Sequence, residues 1–286
     1  MENHLYHSIL NVAIEAAQAA GALIRQRFGS VMDVNFKGSV NPVTATDTEA
    51  EAIIIQHLNT AFPQHLILGE ESGGSHWHTT QPIWLIDPLD GTNNFAHGFP
   101  HLCVSLGFMD QGEYAAGVVY DPLRDETFAA YRDGGAWLNG TPIHVSKTSQ
   151  LSQAFLAAGF PYIRRTAASN NARMLDHFLR RSQGVRRAGS AALDIAYVAC
   201  GRFDGFWEPA LHPWDMAAGA MLVIEAGGRV SDFSGSTSRL ISGEEVVVSN
   251  GMIHQEMLTV LRNEAAAPHP DFPELNFTST AENEYA

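Results

Sequence analysis

The stretch Ile83-Trp84-Leu85-Ile86-Asp87-Pro88-Leu89-Asp90-Gly91-Thr92 constrains this chain more than any other. Its short apolar run, with β-branched and aromatic members, reads as one buried strand. Pro88 has no amide hydrogen and biases Asp87 toward extended backbone, so the strand is expected to stop at Asp87. Asp90-Gly91 supplies a tight turn and Thr92 can open a helix. Two acids, a carbonyl and free amides thus meet around one crevice, which suits a cation beside a phosphate. Alone, the same residues also fit a plain Asp-Gly turn with Asp87 as a helix cap, and the rest of the chain decides between the two.

Neighbouring patterns place the other acids. Residues 8–28 carry apolar side chains at helical spacing and end at Gly29, an amphipathic packing helix. Thr46-Asp47-Thr48-Glu49 fits a capping box ahead of Ile53, Ile54 and Leu58, which puts Asp47 in the first turn of a second helix. Residues 66–68 form a short strand that delivers Gly69-Glu70-Glu71 at its end. Apolar segments over 102–109, 114–120 and 127–131, separated by turn residues, predict an antiparallel meander, with Asn139-Gly140 as a hairpin turn.

A polar stretch near 146–152 marks a change of pattern. Beyond it the spacing predicts a strand over 154–158, helices over 168–179 and 191–199, and a strand over 203–207 with Glu208 at its end. Pro213-Trp214-Asp215 then opens a helix that Gly227-Gly228 stops, and a strand over 246–248 and a helix over 253–261 follow. Strands alternating with helices indicate α/β architecture. The expected organisation is an α+β subdomain over 1–148, an α/β subdomain over 149–264, and a poorly ordered tail over 265–286, rich in Pro, Glu, Asn, Ser and Thr.

The totals exclude some functions. With 45% hydrophobic and 17% charged residues in 286, the chain is that of an ordinary globular protein. A formal net charge of −14 opposes a nucleic-acid-binding surface, whose footprint is basic. An acidic chain can still handle phosphate esters where cations neutralise its carboxylates. Cys103 and Cys200 make no disulfide framework and have no metal-ligand spacing, so they read as reduced core residues. No stretch approaches membrane-spanning length and no leader pattern is seen, so a cytoplasmic protein is expected.

Gly69-Glu70-Glu71, Asp87-Pro88-Leu89-Asp90-Gly91-Thr92 and Trp214-Asp215-Met216-Ala217-Ala218-Gly219 together resemble, in order and spacing, the three signatures of the inositol monophosphatase family of magnesium-dependent, lithium-sensitive phosphatases. The resemblance runs from Lys37 and Asp47 through Glu225-Ala226-Gly227-Gly228 and leaves out the tail. It implies a layered αβαβα sandwich. Carried over by position, it implies one metal site on Glu70, Asp87 and the Leu89 carbonyl and another on Asp87, Asp90 and Asp215, with Asp87 bridging the two ions, and two or three Mg2+ in all held by hard oxygen ligands. Catalytic roles fall on Glu70, which orients and helps deprotonate a water, and on Thr92 with Asp47, a hydroxyl–carboxylate pair that holds it.

Substrate contacts implied by the resemblance fall on Asp90, Gly91, Thr92, Gly189, Ser190, Ala191 and Glu208. A carboxylate that accepts two adjacent hydroxyl protons suits a polyol. The implied reaction is in-line attack of water on a phosphate monoester, myo-inositol 1-phosphate first. Fructose 1,6-bisphosphate, histidinol phosphate and 3'-phosphoadenosine 5'-phosphate are the alternatives within the chemistry, and a regulatory binding protein on the same fold is the alternative outside it. Lys37 matches a loop lysine near the metals, Glu71 stands behind the ligands, His212 packs beside Trp214, and Arg186-Arg187 resembles the bacterial branch. The expected partner is a small phosphate ester, with no nucleic acid or membrane, and the resemblance implies a homodimer.

Overall fold

The computed structural model describes residues 2–30, 35–37, 41–73, 80–161, 171–237 and 244–265. The tail beyond 265, the loop histidines His76 and His78, residues 168–170 of the expected helix and the side chain of Lys37 lie outside them. Ala265, assigned to the tail by composition, is still helical.

Helix α1 (Glu2–Arg27) leads through a hairpin of β1 (Asn35–Lys37) and β2 (Asn41–Val43) to α2 (Ala45–Ala61). A seven-stranded sheet follows, with β3 (Leu66–Gly69), β4 (Ile83–Asp90), β5 (Cys103–Asp110), β6 (Glu113–Asp121), β7 (Glu126–Tyr131), β8 (Gly135–Leu138) and β9 (Thr141–Pro142) side by side in chain order. Only the β3–β4 pair is parallel. A short helix, α3 (Thr92–Ala96), separates β4 from β5.

The remaining strands are β10 (Phe155–Ala158), β11 (Gly184–Arg186), β12 (Gly205–Pro209), β13 (Arg229–Ser231) and β14 (Glu245–Ser249). They form a five-stranded sheet in the order β11-β10-β12-β14-β13, parallel at β11-β10-β12 and antiparallel beyond. Helices α4 (Ala172–Leu179), α5 (Ala191–Ala199), α6 (Pro213–Glu225) and α7 (His254–Ala265) complete the described chain.

Strand alternation builds the layers. Trp84, Ile86, Val104, Leu106 and Phe108 face α1 and α2, whereas Ile83, Leu85 and Met109 face Ala217 of α6. In the second sheet Ala157, Phe206, Val246 and Val248 face α5 and α6, and Leu156, Trp207 and Val247 face α4 and α7. The result is helices, sheet, helices, sheet, helices, the expected αβαβα sandwich. Helix α6 lies hard against the first sheet at Gly107 and Gly117, where an added Cβ would stand 2.5 Å from Ala217 Cβ and 2.6 Å from the Ala218 carbonyl oxygen.

Three local expectations are corrected. Strand β4 runs past Pro88 to Asp90, because the register against β5 shifts between Asp87 and Asp90 and the bulge absorbs the missing amide. The capping box of α2 starts at Thr44: its hydroxyl accepts from Thr46 N at 3.2 Å, and Asp47 Oδ2 accepts from Thr44 N at 2.9 Å. Glu208 stands inside β12, opposite Val246, not after the strand.

Candidate active site

Parallel pairing of β3 with β4 brings two acids to one sheet edge. Gly69 is registered on Ile86, and Glu70 N donates to Ile86 O at 3.0 Å, so Glu70 follows β3 beside Asp87. Glu51 of α2, buried, accepts from Glu71 N at 3.0 Å and Ser72 N at 2.7 Å and holds the turn that carries Glu70. In the bulge, Asp87 Oδ1 accepts from Leu89 N at 3.0 Å. Gly91 then takes a left-handed conformation, φ 100°, which an L side chain rarely adopts, and turns the chain directly into α3.

Thr92, the first residue of α3, has its hydroxyl 2.9 Å from Asp47 Oδ1 and 3.1 Å from the Leu89 carbonyl. One hydroxyl has one proton, so donation to the carboxylate leaves the Thr92 oxygen free to accept. Asp47 spends its other oxygen on Thr44. Burial pushes Asp47 above the usual carboxylate range, against the downward pull of the Thr44 and Thr92 hydrogen bonds.

Asp90 reaches the other way. Its Oδ2 accepts from Ser190 Oγ at 2.8 Å and Ala192 N at 2.7 Å, so it caps α5 from a distant part of the sequence. Asp215, in the first turn of α6, accepts from His212 N at 2.7 Å. His212 stacks on Trp214 with ring centroids 4.8 Å apart. Burial, then the mutual field of Glu70, Asp90 and Asp215, holds Asp87 well above its ordinary range, and Asp215 is raised by burial and by Asp90 and Glu70.

One cleft collects these groups. Glu70, Asp87, Leu89, Asp90, Gly91, Thr92, Gly189, Ser190, Ala191, Glu208 and Asp215 all line it, and Asp47 stands behind Thr92. Glu208 projects directly over Gly159, where any Cβ would collide with its carboxylate. Burial, with Asp90 adding to it, pushes Glu208 up to about 8.

The sequence model of the Inositol monophosphatase family matches residues 5–266. The chain belongs to the inositol monophosphatase family. It is 46% identical over 260 residues to the inositol-1-monophosphatase of Synechocystis, covering 91% of this chain and 89% of that one. To Nus factor SuhB of Escherichia coli it is 42% identical over 260 residues, covering 90% and 97%. The solved structure of inositol monophosphatase from Anabaena superposes with a TM-score of 0.81 at 42% identity, covering 90% and 96%. As a member of this family the protein is a phosphomonoesterase.

Its donor set can be tested against the family's metal dependence. Among the described residues, no three His, Cys, Asp or Glu side chains are grouped closely enough to hold an ion as they stand. Asp90 Oδ2 is turned to α5 and Asp215 Oδ2 to its own helix start. The chemistry nevertheless fits a hard cation, since the four acids and the Leu89 carbonyl are all oxygen donors and the acids raise one another's pKa.

Sequence reasoning noted Arg187 beside Gly189 without giving it a place in the site, and it missed Asp194, Gly159 and, behind the cleft, Glu51. Arg187 is the one arginine or lysine among the described residues of the cleft, its guanidinium 5.9 Å from the Phe160 ring centroid. Asp194 is the only charge in the apolar run of α5, and that isolation was the available signal. Burial raises it to about 6, against the pull of His101. Gly159 and Glu51 carried no local signal, because their roles exist only against Glu208 and the Glu70 turn.

Proposed function

We propose that the protein hydrolyses phosphate monoesters with Mg2+, with myo-inositol 1-phosphate as its substrate. The observation that carries this reading is one cleft that joins Glu70, Asp87, Asp90 and Asp215 to Glu208 and the Gly189-Ser190-Ala191 turn. Glu70, Asp87, the Leu89 carbonyl, Asp90 and Asp215 would hold the cations. When bound, they supply charge neutralisation at phosphate and a more acidic water.

The chain's own groups then have distinct tasks. Thr92, with its proton committed to Asp47, accepts a hydrogen from the attacking water and aims its lone pair. Glu70 accepts the other proton. Amides of Gly91 and Thr92 at the start of α3 bind a phosphate oxygen. On the far side Glu208 hydrogen-bonds hydroxyls of the leaving alcohol, and its burial makes that contact selective, because a buried polar group left unpaired is costly.

We further propose a homodimer, as the family resemblance implies, working in the cytoplasm, and a subdomain division near residue 148, supported by the change of sheet between β9 and β10. No described helix is long and apolar enough to cross a membrane. Turnover of myo-inositol 1-phosphate, fructose 1,6-bisphosphate, histidinol phosphate and 3'-phosphoadenosine 5'-phosphate by purified protein tests the substrate. Preference for the nucleotide sinks the inositol reading, and activity that survives chelation and ignores Mg2+ and Li+ sinks the metal. Absence of turnover on all four would favour the regulatory alternative.

A further inference from the structure

A polar pair lies at the cleft, with Asp194 in its lining and His101 behind, apart from the groups assigned to phosphate. His101 is 6% exposed and Asp194 1% exposed, with His101 Nε2 2.9 Å from Asp194 Oδ1. Tyr197 meets the imidazole edge-on at 5.8 Å. Burying an imidazole and a carboxylate is costly compared with an apolar pair of the same volume, and such groups serve best where a hydrogen bond sets a register that packing leaves loose.

The surrounding bonds identify that register. His101 precedes β5, on the segment that leaves α3, and Asp194 sits in the first turn of α5. The His101 carbonyl accepts from Asn94 Nδ2 at 2.6 Å, and the same nitrogen donates to Ala188 O at 2.9 Å. Asp194 N donates to Ser190 O at 3.0 Å. His101 therefore grips the 188–191 turn twice, through its main chain by way of Asn94 and through its side chain by way of Asp194. That turn is the wall that Ser190 Oγ and Ala192 N fasten to Asp90.

We propose that His101, acting through Asp194, is a positioning residue that sets the Gly189-Ser190-Ala191 wall against Asp90 and so governs the enzyme's grip on the leaving alcohol. It touches no substrate. Glu70 and Asp87 are placed by the β3–β4 ladder and do not depend on the pair. The inference rests on the reading of a polyol leaving group.

The test compares kcat and KM for myo-inositol 1-phosphate and para-nitrophenyl phosphate, whose flat leaving group offers that wall no hydroxyl. His101→Phe should raise KM for the inositol ester about tenfold more than for the aryl ester, and His101→Gln, whose amide can still donate to Asp194, should bring the ratio back to within about twofold. Asp194→Ala should move the ratio as His101→Phe does, and the double variant no further than either single.

Equal losses on both esters that track the melting temperature would mean a merely structural role and overturn the proposal, as would additive effects in the double variant or no rescue by Gln. Should His101→Phe fail to fold, Asp194→Ala and Asp194→Asn decide: a ratio moved by Ala and spared by Asn supports the pair, and equal ratios refute it. A wild-type enzyme that does not distinguish the two esters refutes the polyol reading and the inference together, and is recognised before any substitution is made.

Discussion

The two walls of the cleft are built on different principles. On the side proposed for phosphate, Glu70, Asp87, Leu89, Asp90 and Thr92 come from two adjacent parallel strands and the turn and helix that follow them, and backbone ladders hold the strands that carry them. On the side proposed for the leaving group, Gly189-Ser190-Ala191 and Glu208 come from a turn and a strand associated with the other sheet. Side-chain contacts hold the turn, Ser190 to Asp90 and Asn94 to Ala188, whereas Glu208 rides on the β12 ladder and its side chain alone is free to move over Gly159. A backbone ladder resists substitution, whereas a wall held by a few side chains can shift while the fold persists. Changes on the first wall should therefore remove chemistry for every ester, and changes on the second should alter which ester is preferred.

The largest effect is expected at Asp87. Asp87→Asn should lower turnover of every ester by about a thousandfold or more. It should not lower the melting temperature in chelator, because the lost charge is buried among Glu70, Asp90 and Asp215. Steady-state assays and a thermal melt check both halves, and retained turnover would remove Asp87 from the metal-ligand assignment.

Next comes Thr92→Val, which removes the hydroxyl at nearly constant volume. It should reduce kcat about a hundredfold alike for inositol and aryl esters, and should cost about 1 kcal/mol of stability as Asp47 loses one donor. A loss confined to the inositol ester would break the contrast between the walls.

Gly159→Ala probes the second wall. The new Cβ would collide with the Glu208 carboxylate, which must swing aside. KM for the inositol ester should rise about tenfold more than KM for the aryl ester. Equal kinetics on both esters would show that Glu208 does not meet the alcohol.

The smallest effect is on stability. With Glu208 raised from 4.5 to about 8, the folded protein keeps a proton that the unfolded chain releases. The stability this group contributes is complete below 4.5 and is lost as pH rises toward 8. Glu208→Gln cannot ionise, so in chelator its melting temperature should gain on wild type by a few degrees, increasingly, as pH rises through that window. A difference that stays constant with pH would refute the buried, protonated state.

Much of this was legible in the chain itself. The bounds of α5, the β5–β7 meander, the Asn139-Gly140 hairpin and the acids at the ends of β3 and β4 follow from patterns a few residues long. The end of β4 did not, since whether Pro88 stops a strand depends on the pairing partner, and here β5 meets it with a bulge. The α2 cap was misplaced for a similar reason: both Thr44 and Thr46 can open a helix locally, but only the Thr44 box also leaves Asp47 Oδ1 for Thr92. Strands β11 and β13, short and without alternation, take their conformation from neighbours in the sheet.

The sequence by itself determined the oxygen donors of the phosphate wall and their local order, because adjacent residues on one strand share a backbone whose sterics act over a few positions. Only the tertiary structure decided what those donors face. The capping of α5 by Asp90, Glu208 over Gly159, and the His101–Asp194 pair each join segments far apart in the chain. They exist because α5 and α6 are packed between two sheets, and burial of apolar surface, which carries no sequence-local signature of its partner, sets that arrangement.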